Sequence, residues 1–256
     1  MPKIELIQGD CLEEMSSIPD GSVDMVLTDP PYGTTACKWD SIIPLEPMWE
    51  QLKRVIKPNG AIVMTASQPF TTTLIASNMK MFKYCWVWEK TKPSGHLNSK
   101  KQPMRKTEDV CVYYSKQCTY NPQGLVAGKF NNDRPSRANK KPGEYVHGQE
   151  RRIGLSSFTN YPNNIITFSN PNNKTVHPTQ KPVALMEYLI KTYTNEGETV
   201  LDFTMGSFTT AIACLNTKRD FVGIELDEHY FQVGKDRLEK HLLTLDYTPE
   251  IIYNQA

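Results

Sequence analysis

Asp29-Pro30-Pro31-Tyr32 stands at the end of the apolar run Val23-Asp24-Met25-Val26-Leu27. An acidic acceptor, a stiff double proline and an aromatic ring at a strand's carboxyl end can together grip a planar amino group. Asp29 can take one amino hydrogen and the Pro30 carbonyl the other. Pro31 adds rigidity, and Tyr32 offers a face for stacking on a flat ring. Asp-Pro and Pro-Pro also mark ordinary turns, so the tetrapeptide gains meaning only from its company.

A second constellation lies in the last third. A strand ending at Asp202 passes through Phe203-Thr204-Met205-Gly206-Ser207 into a helix, and the next strand ends at Glu225. Small residues in such a turn let a ligand approach backbone. An acidic residue about twenty positions on can accept hydrogen bonds from both hydroxyls of a ribose. The turn has one glycine and lacks the dinucleotide fingerprint, so a nucleoside-containing cofactor fits better; a plain strand-helix-strand unit would look much the same.

The third signal is charge. Between Lys90 and Arg152 there are fourteen Lys and Arg against five Asp and Glu, although the whole chain carries only +1. Lys100, Lys101, Arg105, Lys106, Arg134, Arg137, Lys140, Lys141, Arg151 and Arg152 therefore suggest a face for a polyanion.

The elements that must position these residues read as α/β. Strand patterns cover 4–7, 25–27, 61–66, 85–88, 110–114, 199–202 and 221–225. Helical spacing covers 47–56, 70–78, 183–193, 209–216 and 229–241, with a helical turn at 12–15. Lys57-Pro58-Asn59-Gly60 is a stop signal. From about 116 to 173 periodicity disappears and Asn, Gly, Pro, Lys and Arg dominate, too long a stretch for a functionless loop. The expected architecture is one parallel-sheet domain over 1–256 with a basic recognition region spliced in at about 116–173.

At 256 residues, 39% hydrophobic and 22% charged, the composition is that of a globular domain. No apolar run reaches bilayer length, and the first residues lack a signal-peptide core. Six scattered cysteines without paired spacing read as reduced thiols in a cytoplasmic protein, with neither a metal site nor a disulfide framework.

Taken together, Asp29-Pro30-Pro31-Tyr32, the Asp202 to Gly206 turn, Gly223-Ile224-Glu225, His177-Pro178-Thr179-Gln180-Lys181-Pro182 and the Lys57 to Gly60 turn resemble the amino-group DNA methyltransferases. The motif order, catalytic first and cofactor last, is that of the β class. The resemblance covers nearly the whole chain apart from much of 116–173. It implies a single Rossmann-like domain, a mostly parallel sheet with helices on both faces, in circularly permuted motif order. The cofactor would be S-adenosylmethionine and the partner double-stranded DNA, with a homodimer and a cognate restriction endonuclease as further partners the family admits. A prokaryotic or phage origin follows.

By the same resemblance, Asp29, Pro30, Pro31 and Tyr32 would be catalytic. Asp10, Cys11, Asp29, Thr179, Lys181, Asp202, Thr204, Gly206, Ser207 and Glu225 would line the cofactor. Glu225 would hold the ribose, Asp10 would sit near the adenine unless it simply caps a helix, and Lys181 would meet the methionine carboxylate. The family's cofactor loop usually reads Asp-Pro-Phe-x-Gly-x-Gly; here Phe203, Thr204 and Phe208 depart from it. Phe208 places a large side chain where backbone often nears the ligand, with an expected effect on pocket shape or affinity.

The reaction implied is methyl transfer to the exocyclic N6 amine of a flipped-out adenine. Cytosine N4 is the alternative, and a catalytically silent DNA-binding or cofactor-sensing protein is the rival from another class. No Pro-Cys pair is present, which disfavours a 5-methylcytosine enzyme. The segment from Gly33 to Asp40 would close over the flipped base with Trp39 near the DNA, or else be a surface loop with Trp39 packed on the core.

Overall fold

Residues 1–34, 40–132, 154–171, 175–176 and 180–255 are described by the computed structural model. The first half runs β1 (Lys3–Gln8), α1 (Cys11–Glu14), β2 (Val23–Thr28), α2 (Leu45–Val55), β3 (Ile56–Ala66), α3 (Phe70–Ser77), β4 (Phe82–Ser94) and β5 (Arg105–Tyr113). Then come β6 (Val126–Asn132), β7 (Gly154–Thr159) and β8 (Ile165–Phe168). The last third is α4 (Val183–Tyr193), β9 (Thr199–Asp202), α5 (Thr209–Thr217), β10 (Asp220–Glu225), α6 (Glu228–Leu242) and β11 (Glu250–Gln255). Two compact units emerge: Met1–Asn121 with Asn164–Ala256, and Pro122–Asn163. No helix among the described residues is long and apolar enough to cross a membrane.

The larger unit holds a sheet in the order β11-β1-β10-β9-β2-β3-β5-β4-β8. Only β5 runs against its neighbours; every other pairing is parallel. Because strand side chains alternate between faces, the sheet feeds two cores. Leu6, Met25, Leu27 and Val63 pack with Leu189, Ala211, Phe231 and Leu238 from α4, α5 and α6. Ile7, Val26, Ile62 and Met64 pack with Cys11, Leu52, Phe70 and Leu74 from α1, α2 and α3. Helices thus cover both faces, as expected of buried parallel strands.

β2 and β9 are neighbours, with Met25 opposite Val200 and Val26 opposite Leu201. The crossover from β2 leads to β3 on one side, while that from β9 leads to β10 on the other. The loops after β2 and β9 therefore diverge, which opens a crevice at their carboxyl ends. This is where open α/β sheets take ligands.

Regular structure reaches further into 116–173 than its composition suggests. Cys118 is buried in a core of the larger unit, and β8 pairs with β4 through Ile165 opposite Val87. β8 escapes notice because four residues amid Asn and Pro give too short a period to read. The smaller unit is built on an antiparallel ribbon of β6 and β7, with Val126 opposite Thr159. Asn160, at φ +60°, closes it by donating from Nδ2 to the Gly124 carbonyl at 2.7 Å. β11 is likewise absent from the sequence reading; its apolar pair Ile251-Ile252 is too brief to announce a strand.

Candidate active site

A cavity of about 990 Å³ opens at the carboxyl ends of the parallel strands. It is lined by Asp10, Cys11, Asp29, Pro30, Pro31, Tyr32, Lys181, Asp202, Thr204, Gly206, Ser207 and Glu225, among others. The two constellations separated by some 170 positions in sequence thus face one space. The reason is topological, since β2 delivers Asp29 beside the β9 end that delivers Asp202.

Asp29 directly follows β2. Its Oδ1 accepts from the Tyr32 hydroxyl at 2.6 Å and from the Thr65 hydroxyl of β3. Its Oδ2 accepts from Lys181 Nζ at 2.5 Å. Phe70 of α3 stacks on Tyr32 at 5.4 Å between centroids, inclined by 22°. Burial, then the Asp29 and Glu108 carboxylates, push the Tyr32 phenol well above its ordinary value, so it serves as a donor. Gly33, at φ +67°, turns the chain away, and a Cβ there would come within 2.9 Å of the Ile42 side chain. The Gly33 and Thr34 amides each donate to the Asp40 carboxylate at 2.9 Å.

Lys181 is 7% exposed. Besides Asp29, it lies 3.6 Å from Glu108 Oε2, and Glu108 is paired in turn with Lys90. Burial pulls the Lys181 ammonium down, but Asp29 and Glu108 outweigh it and leave it above the usual lysine value. Glu108 enters this edge because β5 is antiparallel: its early residues lie level with the carboxyl ends of β2 and β3.

Beside Asp29 in the same cavity, Asp202 is 3% exposed. Its Oδ1 accepts from the Thr28 hydroxyl at 2.7 Å and the Thr204 amide at 3.2 Å, and its Oδ2 from the Thr210 hydroxyl at 2.6 Å. Burial pushes its carboxyl up to about 6. Asp202 thereby ties β2, its own turn and α5 together. The Thr204 hydroxyl lies 2.6 Å from that of Thr28 and 3.3 Å from the Asp29 carbonyl, joining the two motifs directly. Glu225 accepts from the Gly206 amide at 2.8 Å and the Asp227 amide at 2.9 Å. Arg237 of α6 anchors the turn from behind, donating to the Ser207 carbonyl at 2.6 Å and the Thr209 hydroxyl at 2.8 Å.

Asp10 caps α1, accepting from the Leu12 amide at 2.8 Å, while lining the cavity. The Cys11 thiol is pushed up to about 12, first by burial and then by Asp10. Phe208 does not line the cavity. It is buried at φ +60° with its ring against Phe231, over Gly234 of α6. The ring therefore fills the core behind the turn and stays off the turn's cavity face.

Among the basic residues, Lys100 and Lys101 are exposed. Arg105 lines the cavity, with Nη1 3.5 Å from Ser67 Oγ. Lys106 is held by Glu89 at 2.8 Å. Trp39, Arg134, Arg137, Lys140, Lys141, Arg151, Arg152 and Thr179 lie outside the described residues. The sequence reading passed over Thr65, Lys90, Glu108 and Arg237. None belongs to a recognisable string, and only strand register or helix packing brings them in.

The model of the N6/N4 DNA methylase family matches residues 23–236. The chain belongs to that family. It is similar to the type II methyltransferase M.HpaI of Haemophilus parainfluenzae, at 26% identity over 96% of this chain and 77% of that protein. It is 28% identical to the DNA adenine methyltransferase YhdJ of Escherichia coli K12, over 91% of this chain and 82% of that one. Among solved structures, the M1.HpyAVI complex with S-adenosylmethionine superposes with a TM-score of 0.62 at 27% identity, covering 91% and 99% of the two chains. The cytosine-N4-specific PvuII methyltransferase shares the fold, with a TM-score of 0.63 at 14% identity and 96% and 94% coverage.

The enzyme is therefore an S-adenosylmethionine-dependent DNA methyltransferase. The donor set of its cavity suits that cofactor. Glu225 and Asp227 could accept from a ribose, and Phe203, Met205 and Leu226 line the same cavity with apolar surface. The volume lies at the upper end for a small-molecule site, with room for a base beside the cofactor.

Proposed function

We propose that this enzyme methylates the exocyclic N6 amine of an adenine flipped out of double-stranded DNA at a specific site, in a bacterial or phage-infected cytoplasm. The observation that carries the reading is Asp29, set by Tyr32 and Thr65 in a cavity that Glu225 also lines. An aromatic amine is a poor nucleophile because its lone pair is delocalised into the ring. Asp29 and the Pro30 carbonyl accept the two amine hydrogens and so favour the pyramidal, charge-developing nitrogen over the planar one. Tyr32, backed by Phe70, supplies the stacking face. Glu225 and Asp10 orient the nucleoside end of the cofactor, and Thr204 fixes its turn to the Asp29 backbone. S-Adenosylmethionine, when bound, supplies an electrophilic methyl whose bond to sulfur breaks as the nitrogen lone pair forms the new bond. The rest is positioning.

Adenine is favoured over cytosine by the Asp at the first motif position and by the name of the YhdJ relative. The silent-protein reading drew on Phe208, and it loses that support because the ring lies in the core.

The test is transfer of labelled methyl to unmethylated DNA, followed by digestion to nucleosides. N6-methyladenine is the expected product. N4-methylcytosine would replace the target base, and unlabelled DNA would overturn the enzyme reading. Asp29→Ala should lower the single-turnover rate at least about 100-fold, the scale of losing one acceptor that strengthens in the transition state, with cofactor affinity within a few-fold.

A further inference from the structure

Both carboxylate oxygens of Asp29 are engaged. Oδ1 serves two hydroxyls, and Oδ2 holds the Lys181 ammonium at 2.5 Å. That ammonium opposes the reaction proposed above. It competes with the amine for that oxygen, and its charge repels the positive charge that grows on the nitrogen as the methyl arrives. Moving Lys181 off Oδ2 relieves both, and a buried ammonium needs a partner to move to.

Glu108 offers a place for it to go. Its Oε2 is buried and, among the described residues, has no hydrogen-bond partner. It lies 3.6 Å from Lys181 Nζ, on a residue that lines the same cavity. A buried, unbonded carboxylate oxygen is costly enough to need a reason. The other oxygen of Glu108 is held by Lys90, itself buried and 5.4 Å from the Trp88 ring centroid. Glu108 is thus fixed, with one oxygen waiting. A displacement of about 1 Å would bring Nζ from 3.6 Å into ordinary charge-assisted bonding range. The move leaves the four charges of Asp29, Lys181, Glu108 and Lys90 balanced, and changes only which carboxylate is bare.

We propose that Glu108 is a positioning residue for the methyl transfer, receiving Lys181 from Asp29 when cofactor and base bind, so that Asp29 Oδ2 becomes the acceptor for the target amine. The inference rests on the methyltransferase reading. Glu108 touches neither substrate nor cofactor in this role; it acts through Lys181.

The experiment compares wild type, Glu108→Gln and Glu108→Asp in single turnover with saturating labelled S-adenosylmethionine and unmethylated DNA, with the Kd of each measured separately. Glu108→Gln retains an acceptor for Lys90 but cannot take the ammonium. Its methyl-transfer rate should fall roughly 10–100-fold, the mark of an interaction realised beyond the ground state, with both Kd values within about threefold. Glu108→Asp keeps the charge and should recover most of the rate. A wild-type rate in Glu108→Gln, or equal losses in Gln and Asp, would overturn the proposal while leaving the enzyme reading intact. Unlabelled DNA with wild-type protein would overturn both. If the Gln variant does not fold, the structure of the wild type with sinefungin and cognate DNA decides. Nζ closer to Glu108 Oε2 than to Asp29 Oδ2 supports the transfer, and Nζ still on Asp29 refutes it.

Discussion

Asp29 and Asp202 end neighbouring strands and differ in everything their surroundings impose. Asp29 meets a cation and two hydroxyls at the cavity wall, whereas Asp202 is sealed among threonines with only neutral donors. Burial raises the Asp202 carboxyl to about 6 from its ordinary 3.8. Between those values the folded state binds more protons than the unfolded one, so this residue lowers stability as pH rises from about 4 to 6. Asp202→Asn removes the effect and keeps acceptors for its partners, since a threonine hydroxyl can reverse. Urea unfolding at pH 4.5 and 7.5 should show wild type gaining on the variant by about 2 kcal/mol at the lower pH. A constant difference would mean that Asp202 titrates as it does unfolded. Asp29, Asp202 and Glu225 were legible in the sequence because each belongs to a short string with its own chemistry. Thr65 and Glu108 were not, because a threonine or glutamate inside a strand acquires its role from the strand beside it.

At the level of elements, the cofactor turn departs from its family at Phe208, and the sequence suggests an altered pocket wall or weaker cofactor affinity. The packing puts the ring in the core instead of the wall. A Cβ on Gly234 would lie 2.4 Å from Phe208 Cδ1, so the helix gives way to the ring. Gly234→Ala should therefore destabilise the fold by about 1–3 kcal/mol, as overpacking does, despite alanine's better helix propensity. Adding Phe208→Ala should recover part of that loss, since the two side chains meet directly; the measurement is urea denaturation of the two single variants and the double. Strictly additive losses would mean that the ring and the helix do not compete. The helices and central strands were readable from periodicity alone. The reversal of β5 was not, because residue pattern carries no strand direction, and it is this reversal that brings Glu108 and Lys90 to the cavity.

For the whole molecule, the charge surplus between Lys90 and Arg152 predicts DNA affinity that falls steeply with salt. Lys100→Ala with Lys101→Ala should lower the slope of log affinity against log salt by up to about 0.9 for each phosphate these lysines neutralise, read by fluorescence anisotropy on a duplex. Lys106→Ala should change it less, because Glu89 already holds that ammonium. An unchanged slope in the double variant would move the DNA track away from that corner. The Asp40 carboxylate has a consequence for the catalytic tetrapeptide. By accepting from both Gly33 and Thr34, it fastens the chain just after Tyr32. Asp40→Ala should lower the thermal midpoint by several degrees, because two amides lose their acceptor at once; an unchanged melting curve would mean that the clasp carries no load. One side chain seven positions after Gly33 thus works as a latch, holding in place the turn from which Tyr32 reaches back to Asp29.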